Sequence, residues 1–212
     1  MFDIVIDTRE NTGVTYEQIT SLMHDSFQER LDQGLKYTCS YITPEEFERK
    51  TAGGKVFVAL DKHSEELLGV AAVVYKESKN GRKYAYNAYE AVCSKAKRCN
   101  IGTRLFAYVK SSAEEKGCEY ILSDTSVRAE SAVAFHLSNG FKIVAYESFR
   151  STNYWSYVFR LQLKSPSIWN ISFYRFVCFF ISFCFIRLTR TVDGKDSFFG
   201  KLYKSIICRN CH

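Results

Sequence analysis

The feature that most constrains this chain is a corner between a strand and a helix. Lys97-Arg98-Cys99-Asn100-Ile101-Gly102-Thr103-Arg104-Leu105 follows an apolar, strand-like stretch, Tyr84–Cys93. It opens a pattern in which Ile101, Leu105, Tyr108/Val109 and Ala113 are spaced for one buried helical face, and Gly117 is placed to stop that helix. A helix start leaves its first backbone N–H groups without partners, and their dipoles favour an anion. Gly102 removes a side chain where a phosphate must come close. Lys97, Arg98 and Arg104 add positive charge. The spacing alone fits a phosphate cup and a solvated basic turn equally well.

The surrounding pattern predicts a mixed α/β domain. Phe2–Ile6 alternates as a half-buried strand, and Thr15–Phe27 reads as a helix capped by Thr15. Thr43-Pro44-Glu45-Glu46 is a helix start with proline first and acids in the first turn, and Gly53-Gly54 ends that helix. Lys55–Leu60 and Leu67–Lys76 predict a hairpin, and Asn80-Gly81 a tight turn into Tyr84–Cys93. After the corner come a short strand at Tyr120–Leu122, a helix at Glu130–Asn139 ended by Gly140, and closing strands at Phe141–Tyr146 and Tyr154–Leu163.

The 212 residues suit one domain over 1–165 with an extension over 166–212. The formal charge is +6, of which the extension carries +5, so the domain gives no reason to expect nucleic acid as a partner. The first residues carry Asp3, Asp7 and Glu10 and no long apolar run, so no secretory signal is read there and a cytoplasmic location is expected. Cys39, Cys93, Cys99 and Cys118 are then read as reduced thiols, small residues of apolar segments. Cys208-Arg209-Asn210-Cys211-His212 has the spacing of a haem-attachment site but no chain after it to build a pocket, and no metal site is expected. In the extension, Phe176–Ile186 is an eleven-residue apolar-rich run followed by Arg187 and Arg190. The first reading is a helix packed on the domain or on a second copy through 168–190. The second is contact with a membrane surface, and a spanning helix comes third.

Two segments, "EAVCSKAKRCNIGTRLF" (Glu90–Phe106) and "AESAVAFHLSNGFKIV" (Ala129–Val144), carry a resemblance to the GNAT family of acyl-CoA N-acyltransferases, extending from about Phe2 to Leu163. In that family a strand ending in Val leads to a pyrophosphate loop, Gln/Arg-x-x-Gly-x-Gly/Ala; here Val92 precedes Lys97–Gly102. Lys97 replaces Gln or Arg and keeps the charge. Asn100 replaces the first Gly and tolerates a left-handed backbone. The resemblance implies a GNAT fold, a mostly antiparallel sheet split in a V with helices on both faces. The strands at Ala88–Val92 and Tyr120–Leu122 would splay. The pantetheine arm of acetyl-CoA would bond to the backbone of Ala91 and Val92, and its pyrophosphate would rest on the amides of Lys97, Arg98, Cys99, Asn100, Ile101, Gly102 and Thr103.

It further implies Glu90 as general base, its pKa raised by desolvation, with Tyr86 four residues earlier on the same strand face as a proton relay or a packing residue. A solvated strand carboxylate is the plain reading of Glu90. His136 stands where the family often has the Tyr that protonates coenzyme A sulfur, and Ala129 where it often has an Asn that contacts the cofactor. The amide of Glu90 or Ala91 would serve the thioester oxygen. The acceptor, a small-molecule or peptide amine, would be chosen by Thr15–Gln33 and Glu147–Asn153. The rival to an active transferase is an acyl-CoA-binding or partner-binding module without turnover.

Overall fold

The computed structural model of the protein describes residues 2–164. Its elements, in chain order, are β1 (Ile4–Thr8), α1 (Arg9–Thr12), α2 (Tyr16–Asp32), α3 (Pro44–Thr51), β2 (Lys55–Asp61), β3 (Leu67–Glu77), β4 (Lys83–Val92), α4 (Ile101–Glu115), β5 (Tyr120–Ser126), α5 (Glu130–Ser138), β6 (Lys142–Ser148) and β7 (Trp155–Gln162). The extension 166–212, with its expected helix, membrane contact and second-copy contact, lies outside the described residues. Among the described residues no helix is long and apolar enough to cross a membrane.

The helix starts follow their local chemistry. Thr15 and Gln18 form a reciprocal cap on α2, the Gln18 amide donating to Thr15 Oγ1 (3.3 Å) and the Thr15 amide to Gln18 Oε1 (2.8 Å). Thr43 Oγ1 accepts from the Glu46 amide at the start of α3, with Pro44 in the first turn. Two elements depart from expectation: β1 begins at Ile4, and the one-turn α1 follows it directly. Cys39 and Cys118 are buried as expected, whereas Cys99 is exposed because it sits on the outside of the corner.

The seven strands form one sheet in the order β1-β2-β3-β4-β5-β7-β6. Every neighbouring pair is antiparallel except β4–β5, which is parallel and pairs only Tyr84–Tyr86 with Tyr120–Leu122. The strands expected to splay at Tyr120–Leu122 are therefore joined there, and the gap opens beyond them, between Asn87–Val92 and Ser123–Ser126. β5 runs four residues past its expected end because β7 pairs with it as far as Ser126. One core lies on the α4 face around Leu68, Ile101, Leu105 and Phe159; the other lies on the α2 and α3 face around Ile19, Met23, Phe47 and Val70.

A bulge in β4 sets what each face receives. Ala72 pairs with Ala88 and Val70 with Ala91, so β4 holds one residue more than β3 across this span. Tyr89 takes φ +54° there, a left-handed conformation that is rare for a bulky side chain. An extra residue turns every later side chain to the other face. Tyr89 packs on Phe47 of α3, while Glu90 points toward α4 and Tyr86 points away from it. The expectation that Tyr86 and Glu90 share a face is thereby corrected.

Gly69 holds α4 close to the sheet. A Cβ on Gly69 would meet Ile101 Cγ2 at 3.0 Å, Leu105 Cδ1 at 3.1 Å and the Ala91 carbonyl at 3.2 Å. Gly69→Ala should therefore destabilise the fold by about 1–3 kcal/mol through overpacking, read as a lower midpoint in urea unfolding with an unchanged slope.

Candidate active site

The corner between β4 and α4 takes the form the sequence predicts, with a refinement. A 3₁₀ turn at Ser94–Ala96 leaves β4, and Arg98 (φ 66°) and Asn100 (φ 61°) both adopt the left-handed conformation. Asn100 thus does what the missing glycine would do. The amides of Lys97 and Cys99 are taken by the Ser94 and Ala96 carbonyls, so the expected cup loses those two donors. The amides of Arg98 and Asn100 and the first-turn amides of Ile101, Gly102 and Thr103 have no acceptor among the described residues. Unlike α2 and α3, α4 has no side-chain cap and no acid in its first turn. It forgoes about 1 kcal/mol of capping and keeps its positive end open.

Not every basic residue of the corner faces that opening. Arg104 Nη2 donates to the Ile4 carbonyl at 2.8 Å, and Lys97 Nζ lies 3.8 Å from Glu29 Oε2. Gly102 has a role beyond ligand access: a Cβ there would meet Glu90 Oε1 at 3.2 Å and the Phe135 ring at 3.5 Å. Its bare backbone admits the Glu90 carboxyl under the first turn of α4.

From this corner one cleft of about 880 Å³ runs through the gap between β4 and β5 to the α2 face. Its size lies in the range of small-molecule and cofactor sites. The gap holds polar groups in a defined order. Asn87 is buried, donates from Nδ2 to Glu90 Oε2 (3.1 Å), and leaves Oδ1 with no partner. A buried orphan acceptor at the apex of a sheet gap matches an N–H donor of an extended ligand, as a peptide-like arm provides. The Val92 carbonyl farther along accepts from Ser26 Oγ (3.2 Å), while Ala91 is buried against the α2 core.

Burial pushes the Glu90 carboxyl up to about 7, opposed only by the Asn87 bond. The residue is half-buried at the bottom of an open cleft, so it is desolvated by its surroundings yet reachable from the gap. His136 is 5% exposed and stacked on Phe159. Its Nδ1–H donates to the Ala132 carbonyl (2.7 Å), and its Nε2 lies 2.9 Å from Ser123 Oγ, which is 3.2 Å from the Asn87 carbonyl. One hydroxyl proton cannot serve both acceptors. The chain His136–Ser123–Asn87 is complete only when Nε2 also carries a proton, whereas burial lowers the pKa of the ring.

On the other face, the Tyr86 hydroxyl donates to Asp124 Oδ1. Burial raises the Asp124 carboxyl and the Tyr86 phenol, the latter also because Asp124 lies beside it. Asn87, Ser123 and Asp124 escaped the sequence reading. The signal for Ser123 and Asp124 was a polar run, Ser123-Asp124-Thr125-Ser126, after an apolar strand start, and Asn87 had none. Of the two segments expected to choose the acceptor, Glu147–Asn153 closes over this side, and it does so against the stretch that follows Thr15–Gln33 rather than against that helix. Asn153 Oδ1 accepts from the Lys36 amide and Asn153 Nδ2 donates to the Gly34 carbonyl, both at 2.8 Å, and the Tyr41 hydroxyl donates to the Ser151 carbonyl at 2.9 Å. At the cofactor side of the mouth, Arg30 of α2 reaches Ser131 of α5 (3.1 Å).

A gap in a sheet with an uncapped helix start at its root is the layout of a protein that takes an extended, phosphate-bearing ligand edge-on. The chain belongs to the acetyltransferase (GNAT) family, whose model matches residues 16–141. The fold is found in an acetyltransferase of that family from Staphylococcus aureus Mu50 (16% identity, 77% of this chain and 100% of that one, TM-score 0.54). It is found in a putative acetyltransferase from Salmonella typhimurium solved with acetyl-CoA (13%, 77% and 96%, TM-score 0.56). A chain of the NatC complex bound to Gag peptide and CoA also shares it (15%, 76% and 99%, TM-score 0.57). A search of curated protein sequences finds no match.

The raised Glu90 carboxyl has a measurable consequence. A carboxyl whose folded pKa exceeds its unfolded value holds its proton more tightly in the folded state, so stability falls as pH rises through the interval, here from 4.5 to about 7. Glu90→Gln keeps an oxygen to accept the hydrogen bond from Asn87 Nδ2 and removes the titration. Its Tm should equal that of the parent below pH 4.5 and exceed it at pH 7–8 by several degrees, at roughly 2–4 °C per kcal/mol, measured by calorimetry across pH.

Proposed function

We propose that the protein transfers the acetyl group of acetyl-CoA to a primary amine of a small molecule or peptide, by direct attack in a ternary complex. The observation that carries this reading is the continuous cleft joining five unpartnered amides at the α4 start to two desolvated carboxyls at the gap. Arg98, Asn100, Ile101, Gly102 and Thr103 offer amides to the pyrophosphate. Ala91, Val92 and the Asn87 side chain line the arm, with Lys97 and Cys99 shaping the loop. Bound acetyl-CoA supplies the activated acyl thioester.

Acyl transfer forms one N–C bond as one C–S bond breaks, removes a proton from the amine and returns one to sulfur. Glu90 is assigned the proton from the amine, since a carboxyl titrating near neutrality is matched to that task. His136, in the state with Nε2 protonated, is assigned the return through Ser123, which would pass on its own proton as it takes one from the ring. Tyr86 holds Asp124 in place on the acceptor face. Backbone amides of Glu90 or Ala91 at the bulge would stabilise the thioester oxygen.

Thiol release from acetyl-CoA with a panel of amines tests this. The full chain should turn over at least one primary amine. Glu90→Gln should lower kcat about 100-fold with CoA affinity retained, and His136→Phe should lower kcat at unchanged CoA affinity. Turnover unaffected by either substitution would remove the named roles, and tight CoA binding without turnover of any amine would make the chain a binding module.

A further inference from the structure

The α2 side of the cleft contains a second organised site. Asp124 lies there with its carboxyl desolvated, and among the described residues no Lys, Arg or His nitrogen lies within 4 Å of it. Its neighbours are neutral hydroxyls: the Tyr86 phenol donates to it and the Ser156 hydroxyl lies beside it. A carboxylate drawn from water without a cation is costly and stays charged only when a countercharge arrives.

The walls around it are aromatic. Tyr37 and Tyr154 pack as a tilted pair with ring centroids 4.6 Å apart, Phe27 extends that wall, and Tyr89 is fixed against Phe47 by the bulge. Tyr37, 8% exposed, lines the cleft with its hydroxyl beside Thr125 and Ser126. Cys39, its thiol pushed up to about 12 by burial, stays a neutral wall element. The nearby acids Glu46 and Glu147 act on these tyrosines, while Lys50 is engaged by Glu46 at 2.8 Å.

A desolvated carboxylate between tyrosine faces selects a compact cation that donates hydrogen bonds. We propose that this chamber binds the acceptor as its ammonium form, with Asp124 as counter-ion and Tyr86, Tyr89 and Tyr154 as walls. The inference rests on the transferase reading and names the charge state in which the acceptor is captured; one ammonium proton must pass to Asp124 or to water before the neutral nitrogen attacks the thioester, in addition to the proton lost during transfer. Asp124 governs acceptor binding, whereas Glu90, on the opposite face of the gap, governs turnover. Neutral isosteres are rejected because they leave the carboxylate unpaired.

The test is calorimetry on the full chain saturated with CoA. The probes are 2-phenylethylamine against 2-phenylethanol, and trialanine against N-acetyl-trialanine. At least one amine should bind at pH 7 about tenfold more tightly than its neutral counterpart, and Asp124→Asn should erase that preference while CoA affinity, measured on the same preparation, stays unchanged. Tyr86→Phe, which keeps the ring, should retain the charge preference. Absence of binding by both amines to the parent, equal binding of amine and neutral counterpart, or a preference that survives in Asp124→Asn would each overturn the proposal. Charge-selective, Asp124-dependent binding without acetyl transfer would leave this site standing and refute the transferase reading instead; transfer without charge selectivity would do the reverse.

Discussion

The structure depends on a strand pairing that stops early. β4 and β5 share only three residue pairs, Tyr84–Tyr86 with Tyr120–Leu122, and then part. Parting leaves strand edges that would have been satisfied in a continuous sheet, and unpaired backbone inside a protein is costly unless a ligand or water takes its place. The sheet tolerates the gap because each side is anchored elsewhere: β4 by its long antiparallel pairing with β3, β5 by β7 along its whole length. What would be a defect in a structural sheet is here a strand-shaped vacancy.

Three local features aim chemistry into it. The bulge at Tyr89 turns Glu90 toward α4 while leaving Tyr86 and Tyr89 on the other face, so the two desolvated carboxyls, Glu90 and Asp124, approach the gap from opposite sides. Gly69 lets α4 sit low enough for its first turn to overhang the end of β4. Gly102 admits the Glu90 carboxyl beneath that turn. A left-handed Tyr and an uncapped helix start each weaken the fold locally, as is expected where structure serves a ligand.

The sequence was most legible where the signal is local. Thr15, Thr43 and Pro44 mark helix starts by their own hydrogen-bonding chemistry, Gly81, Gly117 and Gly140 mark ends by positive φ, and the Ile101–Leu105–Val109 spacing fixes the buried face of α4. Asn100 could be trusted in a left-handed turn for the same reason. The bulge was not legible, because it depends on which residues of β3 oppose β4, and with it went the relation between Tyr86 and Glu90. The extent of β5 was hidden because Ser123–Ser126 border the gap and so do not alternate as a half-buried strand does. Asn87, Ser123 and Asp124 became site residues only through partners 3 to 38 positions away.

The central claim, that main-chain nitrogens at the α4 start receive a diphosphate while the strand gap receives the arm, is tested most directly by comparing CoA with pantetheine in titration calorimetry on the full chain. The account predicts saturable one-to-one binding of CoA and binding at least tenfold weaker for pantetheine, which lacks the diphosphate. Equal affinities, or no heat with CoA, would contradict it.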